Sequence, residues 1–104
     1  MEERRSEERV ECEIPVLVHA PDERGVFFEE ATVIENYSAT GACLRLSRKV
    51  VPGSFLVVSA RYYPLEGTVR VNTVWQEPSG GGLRVGVMFL HPEENWLLRL
   101  YPLP

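Results

Sequence analysis

Arg5 and Arg9 stand in "RSEER" with three residues between them, immediately before the first apolar alternation of the chain. A guanidinium is a planar fork of donors that matches phosphate oxygens and the O6/N7 edge of guanine. Further on, "NYSATG" gathers Asn36, Ser38 and Gly41 at a point where a sheet is about to start. Asn36 offers a short amide that can bond base edges or cap a turn, Ser38 offers a hydroxyl, and Gly41 permits positive φ or a close backbone approach. Each group alone has a plainer reading. A charged run is a solvated tail, and "NYSATG" is a tight turn between two strands.

Other chemistry finds little footing. The single aspartate, Asp22, falls in a turn, and His19 and His91 have no nucleophile or metal partner at an informative spacing, so the chain does not read as an enzyme. Gly80 to Gly82 lack the following helix and the lysine of a phosphate loop, and read as a flexible hairpin. Cys12 and Cys43 make neither a disulfide framework nor a zinc site. The net charge of -4, from 11 Lys+Arg against 15 Asp+Glu, speaks against a module that grips DNA or RNA by phosphate neutralisation. No apolar run approaches the ~20 residues of a membrane span, and the charged N-terminus is unlike a signal peptide. The expectation is a cytoplasmic chain with no membrane insertion, no cofactor and no metal.

These groups must be positioned by a small core, because 104 residues suffice for one domain. Residues 1–9 carry almost only charge and read as an exposed arm. From Val10 the pattern alternates, with Val10, Cys12, Ile14, Val16 and Val18 on one face. Pro15 cannot donate to a ladder, so that strand is at an edge or pairs on one side only there. "APDERG" is a turn, "VFFEEATVIE" a second strand, and a third runs from Gly41 to about Ser47. "SFLVVSARYY" is a continuous apolar run that fits a strand buried on both faces. "LEGTVRVNTVW" alternates with Val69, Val71, Thr73 and Trp75 in phase, "EPSGGG" is a hairpin connection, and "LRVGVMFL" is the sixth strand. Trp75 and Trp96 read as core and helix-packing residues. Tyr37 either covers the motif or faces solvent. Pro92, Glu93 and Glu94 then suit the start of a helix over 91–101, with Trp96, Leu97, Leu100 and Tyr101 at helical spacing. Closure of six short strands removes exposed edges, so the expected fold is all-β: a six-stranded antiparallel barrel over 10–90 with a short C-terminal helix on one open end.

Read together, the two motifs resemble the PilZ family of bacterial cyclic di-GMP receptors, whose signature is R-x-x-x-R in an arm before the first strand and [D/N]-x-S-x-x-G some twenty to thirty residues later. Arg5 and Arg9 match the first part, and Asn36, Ser38 and Gly41 the second. The resemblance spans nearly the whole chain, 1–104, as one domain. It implies that Arg5 and Arg9 grip phosphates and guanine edges of cyclic di-GMP, with Arg4 as a helper. It also implies that Asn36 meets a guanine donor edge, Ser38 bonds near a phosphate and Gly41 keeps the wall open. Asn36 stands where the family more often has aspartate. The resemblance further implies an arm that orders on binding and a protein effector downstream. The alternative within the same fold is a protein-interaction adaptor that does not bind nucleotide.

Overall fold

The computed structural model describes residues 8–60 and 67–97. Arg4, Arg5, Tyr62, Tyr63, Leu100 and Tyr101 lie outside the described residues, as does most of the expected arm. Six strands are seen: β1 (Val10–Pro21), β2 (Phe27–Tyr37), β3 (Gly41–Leu46), β4 (Phe55–Ala60), β5 (Thr68–Ser79) and β6 (Gly82–Phe89). All neighbours are antiparallel, and the order β1-β2-β3-β6-β5-β4 closes into a barrel through a ladder between β1 and β4.

The period of two in β1 sends Ile14, Val16, Val18 and Ala20 into the core. Pro15 pairs with Val33 of β2, while the β1–β4 ladder begins only at Val16. Its missing N–H therefore falls where one side of the strand has no ladder partner. Asp22 closes the β1–β2 turn: its Oδ1 accepts the Arg24 and Val26 amides at 2.8 and 3.0 Å, and Gly25 supplies the positive φ of 81°. Val16, Ile34, Leu44, Leu56, Val58, Val69, Val71 and Val85 fill the interior. Each such side chain contributes about 1.5–3 kcal/mol by leaving water.

Three expectations need correction. The apolar run of β4 is not buried on both faces: Leu56 and Val58 point inward, but Phe55 is 64% exposed. In a closed barrel every strand has one inner and one outer face, so a continuous apolar run leaves its odd members outside. The "EPSGGG" connection is shorter than it reads. β5 continues to Ser79, and only Gly80 and Gly81 turn, with φ of 54° and 84°, the paired positive values of a tight two-residue hairpin.

The third correction concerns the C-terminal segment, where Pro92–Glu94 form a single 3₁₀ turn rather than the first turn of a continuous helix. Asn95 interrupts it in extended conformation, with ψ of 99°, and its Oδ1 accepts the Leu97 amide at 3.0 Å. Asn95 thus acts as a cap from which Trp96 and Leu97 turn helically into the core. The Trp96 ring packs so closely on Gly67 that a Cβ there would stand 2.9 Å from it. Trp96 and Leu97 are both buried in the core, while Leu100 and Tyr101, which complete their helical spacing, lie outside the described residues.

Candidate functional site

The β2–β3 connection is built by Ser38. Its amide donates to the Gly41 carbonyl at 2.8 Å, and its buried Oγ accepts the Gly41 and Thr40 amides at 3.3 and 3.4 Å. The hydroxyl is therefore committed to the turn. Gly41 does not have positive φ. It is required by the second of the two reasons read from sequence, since a Cβ at Gly41 would meet the Val87 carbonyl oxygen at 2.5 Å. β3 can approach β6 there only without a side chain.

Asn36 pairs in register with Glu11 on one side and Cys43 on the other; Cys43 pairs with Gly86, and Gly86 with Trp75. One transverse row on the outer face of the barrel thus runs Glu11, Asn36, Cys43, Gly86, Trp75. The middle of this row is low, because Cys43 is small and buried and Gly86 has no side chain. Trp75 lies across Gly86, where any Cβ would fall inside the van der Waals shell of the indole.

At the other end of the row, Arg9 forks onto the Asn36 amide. Its Nε and Nη2 both donate to Oδ1, at 3.2 and 2.6 Å. The two halves of the sequence signature, as far as they are described, are therefore brought together. Arg9, Ser38, Thr40, Gly41, Ala42, Trp75 and Gly86 border one pocket of about 170 Å³, with Val74 and Met88 on its rim.

Below the row, Glu35 sits between two arginines. Its carboxylate meets Arg45 Nη1 and Arg84 Nε, each at 3.3 Å, and Arg84 Nη1 lies 3.6 Å from Glu77. Burial pushes the Cys43 thiol up, against the opposing charge of Arg84. Cys43 is thus held as a neutral thiol in the floor, not as a nucleophile.

Trp75, Gly86 and Cys43 were not legible as site residues. Trp75 sits in phase with Val69, Val71 and Thr73, which are buried, so it reads as core. A register shift between Thr73 and Trp75 inserts one residue and turns Trp75 outward, leaving it 44% exposed, with Val74 also on the surface. The glycine opposite it on β6 is the signal in sequence, because glycine within a strand marks close approach by another group. Tyr37 neither covers the site nor faces solvent: it is buried in the core beside Val10 and Ala42, its register partners.

The described residues thus form a closed antiparallel barrel that carries an arginine lead-in and a polar turn on its outer face. The family model for the PilZ domain matches residues 3–101, and the chain belongs to that family. No curated protein sequence is matched at a significant level. Among solved structures, the PilZ domain of CeSA from a cellulose-synthesizing bacterium is 21% identical, with a TM-score of 0.65 over 89% of this chain and 93% of that one. The PilZ domain of YcgR from Escherichia coli, solved with c-di-GMP, is 14% identical, with a TM-score of 0.66 over 94% and 88%. The Bacillus subtilis inhibitor of motility MotI/DgrA is 17% identical at a TM-score of 0.58, and this chain spans only 50% of its length. At these identities the likeness is one of fold.

Proposed function

We propose that the protein is a receptor module for cyclic di-GMP that passes the binding event to a protein partner. The observation that carries this reading is the Arg9 fork on Asn36 at the edge of a pocket bordered by the Ser38–Gly41 turn, Trp75 and Gly86. An arginine so placed meets a phosphate or a guanine edge with charge-assisted bonds of about 1.5–3 kcal/mol each. Arg5 precedes Arg9 by four residues, a reach of roughly 14 Å when extended, which is sufficient to bring a second guanidinium over the same floor. Trp75 supplies a face on which a purine can stack, and stacking is worth about 1–3 kcal/mol per base. Asn36 keeps the Arg9 fork in the site and presents its own amide to a base edge, while Ser38 acts by fixing the turn. Micromolar affinity needs about 8 kcal/mol, which two arginines and one stacked base can supply.

Closure of the arm over the dinucleotide changes the outer face that a partner meets. The chain is read as a binding module and not as an enzyme, with no cofactor, and with no role for DNA or RNA. Isothermal calorimetry with cyclic di-GMP, and with GTP and cyclic di-AMP as controls, tests this. Saturable micromolar binding of cyclic di-GMP alone is expected; absence of heat and of any thermal shift at high ligand rejects it.

A second reading has its own observation. Val74 and Met88, which line the pocket, are exposed, and Phe55 is exposed in the same transverse row as Met88, reached through Asn72; such a surface suits an adaptor that engages a protein without nucleotide. The same titration separates the two.

A further inference from the structure

Arg45 and Arg84 face each other across β3 and β6, two residues along from Cys43 and Gly86, yet they are held very differently. Arg45 is locked. Its Nη2 donates to the Ser79 carbonyl at 2.6 Å and its Nη1 meets Glu35. Arg84 is held loosely, with 3.3 Å to Glu35 and 3.6 Å to Glu77. Both contacts are longer than the ~2.7–2.9 Å of a well-formed charge-assisted bond. It stands on β6 two residues from Gly86, the register partner of Cys43, on the same outer face of the barrel. Cys43 in turn is the register neighbour of Asn36, where Arg9 is anchored. The low ground formed by Cys43 and Gly86 thus has an arginine on each side.

The charges nearby decide which arginine is free to act. Glu35 already has Arg45 as a partner and stays neutralised if Arg84 leaves. Glu77 is 56% exposed and meets Arg84 as a solvated pair, which binds weakly. An arginine has five donors, so Arg84 can add an anion without losing its hold on Glu35.

We propose that Arg84 is a further ligand-binding residue: a phosphate over the Cys43–Gly86 floor is gripped from two sides, by Arg9 and by Arg84, and Arg84 turns to it from Glu77. This rests on the cyclic di-GMP reading above and adds a contact that the arm signature does not contain. Glu77 is then a competitor for Arg84, and its removal strengthens binding.

The test is calorimetric titration of the full chain with cyclic di-GMP, comparing the wild type with Arg84→Ala, Arg84→Lys and Glu77→Gln, each checked by thermal melting. Loss of one charge-assisted contact weakens binding ~10-fold or more in Arg84→Ala. Arg84→Lys recovers part of it, and Glu77→Gln binds about 2- to 5-fold more tightly. A purely structural role for Arg84 does not make Glu77→Gln a tighter binder, so the opposite signs separate the two, and Glu77→Gln remains informative even if Arg84→Ala fails to fold. Wild-type binding with an Arg84→Ala Kd within about twofold, or no tightening in Glu77→Gln, overturns the proposal while the receptor reading stands. Failure of the wild type to bind overturns both.

Discussion

Arg9 and Gly41 do opposite kinds of work although both belong to the signature. Arg9 is exposed and bonded through Asn36, with no part in the core. Arg9→Ala should therefore abolish most cyclic di-GMP binding and shift stability by no more than about 0.5 kcal/mol, the usual range for surface positions. Calorimetry and chemical denaturation on the same sample check the pair of outcomes. Gly41 is the reverse case. With the Val87 carbonyl in the way of any Cβ, Gly41→Ala should cost about 1–3 kcal/mol by forcing β3 away from β6. A variant of normal stability would contradict the close-approach argument.

Cys12 adds a pH dependence of its own at the same scale. Burial, aided by the charge of Glu11, pushes its thiol from 9.0 up to about 11. The folded chain therefore keeps a proton that the unfolded chain releases. Its contribution to stability is complete below pH 9.0 and lost as pH rises towards 11. Denaturation midpoints measured across that interval should fall more steeply for the wild type than for Cys12→Ala.

Trp75 shows what a single bulge in β5 does to the candidate site. The inserted residue between Thr73 and Trp75 reverses the phase of the strand and converts an apparent core residue into the pocket wall opposite Arg9. Trp75→Ala should weaken ligand binding by about 1–3 kcal/mol, with Trp75→Phe retaining part of it, and should leave folding nearly intact because the indole lies outside the core. Unchanged affinity in both variants would remove Trp75 from the site. The element scale is also where sequence reading succeeds and fails most clearly. Alternation in β1, β3 and β6 is regular, so Val16, Val18, Leu44, Leu46, Val85 and Val87 are legible as core. Bulges are not, since one extra residue leaves no compositional mark and only the glycine across the ladder hints at it. The 3₁₀ turn at Pro92–Glu94 escapes for a related reason: proline and acidic residues suit the start of either kind of helix, and the capping amide of Asn95 decides between them. Arg9 and the "NYSATG" turn, by contrast, declare themselves by residue type, because the need for a cation, an amide and a bare backbone leaves few substitutes.

At the scale of the whole molecule, the barrel is a closed frame whose proposed ligand face lies on the outer side of β2, β3, β6 and β5. The opposite end of the β1–β2 hairpin carries a different cluster, in which Asp22, Glu23, Arg24, Arg48 and Lys49 surround a second depression. Two acids stand among three bases there, and Asp22 Oδ2 lies 3.7 Å from Arg48, so this depression is a competing basic surface that the same ligand titration must distinguish from the Arg9 pocket. The two tryptophans report on these regions separately: Trp75 borders the proposed site and Trp96, 1% exposed, is sealed in the core. Titration of 15N-labelled protein with cyclic di-GMP, followed by amide and indole NMR signals, is thus the most direct test of the account. The account predicts saturable shifts at Arg9, Asn36, the Ser38–Gly41 turn, Gly86 and the Trp75 indole, with the Trp96 indole unmoved. Shifts centred on Asp22–Arg24 and Arg48–Lys49, or none at saturating ligand, would contradict it.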